Sequence, residues 1–507
     1  MGFFFNKQAK KTASKNSQRT PSPNKQNVAL LNRLGCRGCS LNNCNSHTPK
    51  MPPFLPKTTL VYFLGEAPTQ REDEVLHKPV PHEILKSCIP HHDIEFCAFD
   101  NIVRDRTDSG DLSDWNTIES CRENIIKSIE QAAPKLVVGL GVMPLSWALR
   151  SKDLLGMRGR VFAVKFGKHQ CWFMPIQHPQ KVLEDAFNKR KPLQSKTGHC
   201  FRMDVKRAFA LIDKLPDAVV DDELEARRYV QCYSSHKPGD HTAVLDLLAQ
   251  AKAANLKAVD IETSSLRPYA AHGCVLTVAI SFGPTNFSFA LNHPKAPWGT
   301  KAHGERKAAL KSLLLDDTKK VAHNAPFELE WFIKEFGKGI VNQNAWHCTM
   351  MQAHFLDERR GSQAPGSDDN RRATYQSLDF LCKQHFGVAY KSFFKLNKKD
   401  MANADLAETL IYNAVDTKYT LRLYNLQKKL LMEQGLLEAY KTALPRQATV
   451  ALMQHLGMNI DQVELKKMQK ALETEITDIT EEIDSLKVVK QYKVDNGAFN
   501  PQSHIDL

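Results

Sequence analysis

The chain of 507 residues is 42% hydrophobic and 25% charged, an ordinary globular composition. No run reaches the ~18 apolar residues of a membrane span, and Gly2–Phe5 is too short for a secretory signal core. A membrane protein, a secreted disulfide scaffold and a wholly disordered chain are therefore excluded, while 69 basic against 56 acidic residues leave a net charge of +13 that favours polyanionic partners, nucleic acid first.

Residues 1–27 carry Lys7, Lys10, Lys11, Lys15, Arg19 and Lys25 and no acid, the pattern of a disordered basic tail. Residues 28–213 read as an α/β domain. Apolar strands are expected at 59–64 and 136–140, with shorter ones at 161–166 and 171–176 and a helix over 119–132. The alternation predicts a mostly parallel sheet covered on both faces. Residues 214–227 are acidic, hold Pro216 and read as a linker. A second α/β domain follows over 228–436, with strands at 258–262 and 275–282 and a mobile loop at 359–374. Residues 437–507 read as helical. Leu465, Met468, Leu472, Ile476, Ile479, Ile483 and Leu486 form one apolar stripe. Asp461 and Glu464 predict the start of that helix, and Gly457 the stop of the one before. The sequence shows no internal repeat and no Walker A loop.

Of twelve cysteines, Cys36, Cys39 and Cys44 cluster. A chain without a secretory signal is expected in a reducing compartment, the cytoplasm, where such a cluster reads as metal-binding before disulfide.

In the middle of the chain, Asp260-Ile261-Glu262 ends an apolar strand, so its two carboxylates project from one face. They repel unless a cation lies between them. Two further segments join them, Val321-Ala322-His323-Asn324-Ala325-Pro326-Phe327-Glu328 and Tyr412-Asn413-Ala414-Val415-Asp416. On a helix, Tyr412 and Asp416 face one way. In this order the motifs resemble the proofreading 3′→5′ exonuclease of family A (polymerase I-like) DNA polymerases, of the ribonuclease H-like fold. The resemblance implies that Asp260, Glu262, Glu328 and Asp416 hold two divalent ions, Mg²⁺ or Mn²⁺, and that Tyr412 orients the attacking water. Carboxylate oxygens suit such hard cations. Two ions about 3.5–4 Å apart would activate water and stabilise the leaving 3′ oxygen. Glu328 stands where aspartate is usual and is one methylene longer. His323 and Asn324 either support the site or shape the turn. Tyr390, Lys391, Phe393, Phe394, Lys395, Lys398 and Lys399 either hold a single strand by stacking and charge, or form a basic loop over a small core cluster.

The amino-terminal domain contains Gly35-Cys36-Arg37-Gly38-Cys39-Ser40-Leu41, Gly65-Glu66-Ala67-Pro68, Asp100-Asn101-Ile102-Val103-Arg104, Cys121, Leu140-Gly141, Arg158-Gly159 and His178-Pro179. Together these resemble the family 4 uracil-DNA glycosylases, with a three-layer α/β/α fold. The resemblance implies Glu66 near the attacking water, Asn101 reading a flipped base, and His178 stabilising charge on the uracil oxygen. It also implies a 4Fe–4S cluster on four cysteines. Cys36, Cys39 and Cys121 match three, and the fourth place aligns with Asp105. Either Cys44, Cys97 or Cys88 substitutes, or Zn²⁺ replaces the cluster, or only buried thiols remain. No aromatic stands near Pro79 or Val80 to stack a flipped base, and Thr69 replaces a usual glycine, which narrows the water pocket. The domain is thus either a working glycosylase or a DNA-binding, uracil-sensing module. Lys189, Arg190 and Lys191 could touch phosphates in either case.

Leu444-Pro445-Arg446, the run from Gly457 to Asp461, and Phe499-Asn500-Pro501-Gln502-Ser503 resemble the stretch joining exonuclease to polymerase in family A enzymes. The chain is similar to the front portion of a bacteriophage-type member, which implies host cytoplasm. The expectation is a metal-dependent exonuclease acting on single-stranded 3′ ends of DNA. Palm and fingers are expected to be lost or supplied by a separate polymerase chain, so polymerase activity is not expected. The alternatives are a stand-alone exonuclease and a non-catalytic replication assembly module. The stripe from Leu465 to Leu486 would be a thumb base, a docking surface, or a face packed on the exonuclease domain.

Overall fold

A computed structural model describes residues 39–41, 46–107, 114–187, 191–296, 298–342, 345–359, 375–398 and 400–500. The expected basic tail, the expected loop from residue 360 on, and Cys36, Cys44, Lys189, Arg190 and Lys399 lie outside them.

The first sheet is built from apolar runs that are buried on both faces. Its strands are β1 (Val61–Gly65), β2 (Cys97–Asn101), β3 (Leu136–Leu140), β4 (Phe162–Phe166) and β5 (His169–Ile176). Their order is β2-β1-β3-β5-β4, parallel except for the hairpin of β4 with β5. Side chains alternate. Tyr62 and Leu64 face a core with helix α1 (Trp115–Ala132), while Val61 and Phe63 face another with the helix Lys196–Ile212. The strand ends at Gly65, Asn101, Leu140 and Ile176 therefore come to one edge.

The second sheet contains β6 (Val230–Tyr233), β7 (Leu256–Thr263), β8 (Val275–Phe282), β9 (Thr285–Ala290), β10 (Lys319–Ala322) and β11 (Trp346–Cys348). Its order is β11-β10-β7-β8-β9-β6. An antiparallel meander β7-β8-β9 is extended by β10 and β11 parallel to β7 on one side and by β6 parallel to β9 on the other. Register breaks between Glu262 and Thr263, so the strand deviates just where its carboxylates stand. Three helices bring the other candidate residues: α2 (Ala325–Phe336), α3 (Leu378–Phe386) and α4 (Leu406–Glu433). α4 lies across the sheet, with Ser281 of β8 donating to Thr417 at 2.9 Å and Thr277 donating to Asn413 at 3.1 Å.

Residues 214–227 form a packed strap between the sheets. Trp172 Nε1 donates to the Pro216 carbonyl at 2.8 Å, and the Val220 N–H donates to Gln170 at 2.8 Å. Asp221 is buried and accepts from Tyr419 and Arg422 of α4. Lys418 of α4 donates to the carbonyls of Glu225, Ala226 and Arg228. α3 makes a second junction: its Lys383 donates to the Leu149 carbonyl at 2.7 Å, and Phe380 meets Phe162 edge-on at 5.8 Å.

The chain divides into two compact units, one up to Ala448 and one from Thr449. In the second, Asp461 caps helix α5 (Gln462–Ser485) by accepting from the Val463 and Glu464 N–H groups. Helix α6 (Lys487–Asn496) follows, with an ion pair of Lys493 to Asp484 at 2.7 Å. The stripe residues Leu465, Met468, Leu472, Ile476, Ile479 and Leu486 are exposed. The architecture is the one expected, α/β sheets with helices followed by a helical segment. Among the described residues, no helix is long and apolar enough to cross a membrane.

Candidate metal centre and active site

β7 ends in two carboxylates, and α4 brings a third to them. One oxygen from each of Asp260, Glu262 and Asp416 lies within 4.8 Å of the others. Asp260 and Glu262 share a face because a strand repeats every two residues. Tyr412 and Asp416 share a face because a helix repeats at four. Glu328, in the first turn of α2, stands outside this tight triad but inside its field. Asn324, at a left-handed φ of 78°, and Pro326 start that helix. Asparagine tolerates this conformation, so Asn324 shapes the turn. His323 bonds to Thr349 through Nδ1 at 2.9 Å. Burial, aided by nearby Lys391, pushes its pKa down to about 3, so the ring is neutral.

The electrostatics are those of crowded acids. Burial, then Asp416, Glu262 and Glu328, push Asp260 well above the usual carboxylate range. Burial and Asp416 push Glu262 up to about 8. Burial, then Glu262 and Asp416, raise Glu328 well above its ordinary value. Its Oε2 is buried with no hydrogen-bond partner. Hard oxygen donors converging on one point, with Asp260 and Glu262 holding protons they would ordinarily release, fit divalent cations such as Mg²⁺ or Mn²⁺. The orphaned Glu328 oxygen fits the same set.

Sequence reasoning missed the roles of three residues here. Asn413 donates to Asp260 Oδ2 at 2.6 Å and fixes that carboxylate. It was visible inside the Tyr412–Asp416 motif, but its position one residue from Tyr412 carries no pattern of its own. Tyr390 donates to Asp416 Oδ1 at 2.6 Å. Lys391 reaches Asp416 Oδ2 at 3.2 Å. Burial would strip the Lys391 ammonium of its proton, but Asp416 and Tyr412 outweigh it and raise the pKa. Lys398 donates to the Tyr412 hydroxyl at 3.0 Å. The 390–398 segment therefore bonds to the site itself. Tyr390 and Phe394 are buried, so neither offers a face to a base, which corrects the stacking expectation for them. Phe394 instead meets Tyr412 edge-on at 5.2 Å.

A second constellation sits at the edge of the first sheet. Gly65 and Asn101 are register partners on β1 and β2. A Cβ on Gly65 would stand 2.4 Å from Asn101 Oδ1. Gly141 has φ +98°, and a Cβ there would meet Glu66 Oε1 at 2.8 Å and His178 at 3.2 Å. Glu66 and His178 thus meet against Gly141, and Asn101 lies against Gly65 at the end of the neighbouring strand, each where backbone leaves no room for a side chain. Burial raises Glu66, opposed by a backbone hydrogen bond from Met143. Burial, then His82, pushes His178 down to about 4. His178 Nδ1 accepts the Gln180 N–H at 3.2 Å, which places the neutral ring's proton on Nε2. The Thr69 hydroxyl donates to Glu72 at 2.8 Å, so it serves the local turn.

The cysteines divide. Cys121 belongs to the core beneath Tyr62 and Leu64. Cys97 and Cys88 pack on the opposite face of the sheet, with Val61 and Phe63. The sheet lies between them and Cys121, which leaves Cys44, Zn²⁺ or buried thiols among the alternatives. Asp105 accepts the Lys50 N–H at 2.8 Å. Cys39 Sγ accepts the Leu41 N–H at 3.4 Å.

Residues 235–431 match a family model described as a 3′–5′ exonuclease, of the DNA polymerase A type. The matched stretch carries all four acids and Tyr412. The chain is 26% identical over 274 residues to the DNA polymerase I of Chloroflexus aurantiacus, covering 52% of this chain and 26% of that protein. It is 28% identical over 191 residues to the DNA polymerase of Escherichia phage T5, covering 36% of this chain and 22% of that protein. The chain thus spans about a quarter of the length of these curated relatives. Among solved structures, it is similar to Escherichia coli RNase D, an exoribonuclease, at 17% identity and a TM-score of 0.32, covering 44% of this chain and 50% of that one. It is also similar to Brucella melitensis NrnC bound to pGG, at 20% identity and a TM-score of 0.31, covering 46% and 97%. At such scores these likenesses carry no functional weight.

Proposed function

We propose that this protein is a divalent-metal-dependent 3′→5′ DNA exonuclease that removes nucleotides from single-stranded 3′ ends, as proofreading for a family A-type DNA polymerase. One observation carries the reading: Asp260, Glu262 and Asp416 converge within 4.8 Å inside the matched exonuclease domain. Bound Mg²⁺ or Mn²⁺ would supply an activated water and charge stabilisation at the leaving 3′ oxygen. Asp260, Glu262 and Asp416 would hold the ions, with Glu328 behind them. Asn413 orients Asp260. Tyr412, its hydroxyl bonded to Lys398 and its phenol kept protonated by burial and by Asp416, is placed to orient the water. The relatives that carry a printed activity in this match are DNA polymerases, which favours DNA over RNA.

The purified chain with Mg²⁺ should shorten a 5′-labelled single strand from its 3′ end. Asp260→Ala/Glu262→Ala should abolish the ladder; undiminished digestion would remove these residues from the site. A preference for RNA ends would move the protein to RNA turnover.

The first sheet supports a second reading, also on DNA. We propose a uracil-recognising pocket for the amino-terminal domain, favoured by Glu66 meeting a neutral His178 at Gly141 and by Asn101 at the same edge of the sheet. Incubation with uracil-containing duplex, then cleavage at abasic sites, separates the readings. Abasic product makes the domain a glycosylase. Tighter binding to uracil than to thymine without product makes it a sensor. Equal binding and no product would leave the pocket without this function.

A further inference from the structure

Positions 412, 416, 419 and 422 lie on one face of α4, at steps of four and three. Tyr412 and Asp416 belong to the metal centre. Tyr419 and Arg422, further along the same face, point to the strap. Asp221 Oδ2 accepts from the Tyr419 hydroxyl at 2.9 Å and from Arg422 Nη1. The Asp221 N–H donates to the Phe386 carbonyl at 2.9 Å, which ties the strap to the end of α3 as well.

Tyr419 is fully buried, and its ring stacks on Tyr390 with centroids 4.9 Å apart and planes 20° from parallel. Tyr390 is also fully buried and donates to Asp416 Oδ1. Arg422 covers Tyr419 at 5.2 Å and Phe386 at 4.3 Å. The series therefore runs Asp221, Tyr419, Tyr390, Asp416 without a gap. At its outer end the strap is fixed to the first sheet through Val220 and Gln170 and through Pro216 and Trp172. Gly387, at φ +67°, lets the α3 terminus meet Val220, whose Cγ atoms would stand 2.8 Å from any Cβ there.

A buried aromatic pair is a poor place for slack. Close-packed interiors transmit displacement, and partners that orient a metal-binding carboxylate govern its affinity. We propose that Asp221 is a positioning residue for the metal centre. Through Tyr419 and Tyr390, it holds the Asp416 carboxylate in the orientation that receives a cation, so the amino-terminal domain sets the geometry of the exonuclease site. This rests on the exonuclease reading above.

The test is Mn²⁺ binding by the full chain without DNA, read as free Mn²⁺ by electron paramagnetic resonance, with thermal midpoints recorded beside it. Tyr390→Phe removes the bond to Asp416 and should weaken binding about 10-fold. Tyr419→Phe keeps the stacked ring and removes only the bond to Asp221; it should weaken binding about 3-fold, and Asp221→Ala at least as much. Tyr390→Phe/Tyr419→Phe should weaken it by less than the product of the two, because both act on one carboxylate. Lys383→Ala cuts a different tie between the domains and should lower the midpoint while leaving Mn²⁺ affinity unchanged. If Tyr419→Phe binds Mn²⁺ like the wild type, the relay is overturned and Asp221 is only a fastener. If Lys383→Ala weakens Mn²⁺ as much as Tyr419→Phe, general docking replaces the relay, which is likewise overturned. A wild-type chain that binds no Mn²⁺ would instead overturn the exonuclease reading beneath it.

Discussion

Carboxylate oxygens within 4.8 Å of one another repel unless a proton or a cation lies between them. In the metal-free site, protons take that place: burial and Asp416 hold Glu262 at about 8, against an ordinary value of 4.5. The folded state therefore binds more protons than the unfolded chain between those values. Stability falls with rising pH wherever the folded state holds the extra proton. This site is thus expected to lower the metal-free melting temperature as pH rises from 4.5 through about 8. Mg²⁺ must displace the same protons, so its stabilising increment should grow over the same window. Thermal melts with EDTA and with Mg²⁺ at several pH values check this. An increment that does not change with pH would mean that the acids are already ionised. Much of this centre was legible in sequence. Asp260 with Glu262 and Tyr412 with Asp416 fall at the steps of a strand and a helix, so their shared faces follow from backbone geometry alone. Tyr390, Lys391 and Asn413 were not legible in their roles, because each reaches its acid through tertiary approach. Tyr390 and Lys391 stand more than twenty residues from Asp416. Tyr390 and Phe394 read either as a stacking platform or as a small core cluster, and their burial bears out the cluster.

At the scale of elements, continuous apolar strands announced themselves and several interrupted by polar residues did not. β3 and β8 fall on their expected bounds because every side chain in β3, and all but the last in β8, is buried. β10 is four residues long, begins with two lysines and shows no period. Its Lys320 and the Lys257 of β7 are both fully buried, a placement no hydropathy pattern suggests. One acid explains them. Asp316 accepts from Lys257 Nζ at 3.0 Å and from Lys320 Nζ at 2.7 Å. Burial opposes its ionisation, but Lys320, Thr318 and Lys257 outweigh burial and pull its pKa down to about 2. Asp316→Ala would leave two buried ammonium groups without their acid. Removing one partner of a buried pair costs about 3–5 kcal/mol, and the partly open Asp316 side points to the lower end. Urea unfolding should show a loss of about 3 kcal/mol with unchanged slope. A loss below ~1 kcal/mol would mean that the lysines find water or other carbonyls. The pair should also weaken as pH falls from 3.8 towards 2, where the acid gains its proton.

At the scale of the whole molecule, the strap and α3 join the two sheets by bonds of several kinds. Trp172 to Pro216 and Gln170 to Val220 tie the first sheet to the strap, and Lys383 to Leu149 and Arg160 to Asp357 cross from one sheet's domain to the other. Most of these acceptors and donors are backbone groups or half-buried charges, so separating the domains would leave them unpaired until water enters. A linker read from acidic composition and a single proline hides this, because composition reports solvation and not what Asp221 touches. The consequence is thermodynamic. A ligand that binds only the folded state stabilises it by RT ln(1 + [L]/Kd), about 2.7 kcal/mol at a hundred times Kd. If the joined domains open as one cooperative unit, that increment reaches residues far from the metal. Amide exchange along β3, in the first sheet, should therefore slow when Mg²⁺ saturates the acids on β7 and α4. The slowing should be about 100-fold at a hundred times Kd if global opening governs exchange there. β8, in the second sheet, should slow by the same factor. Slowing confined to β8 would show that the amino-terminal domain opens independently. The crossing bonds would then orient the domains without binding their stabilities together.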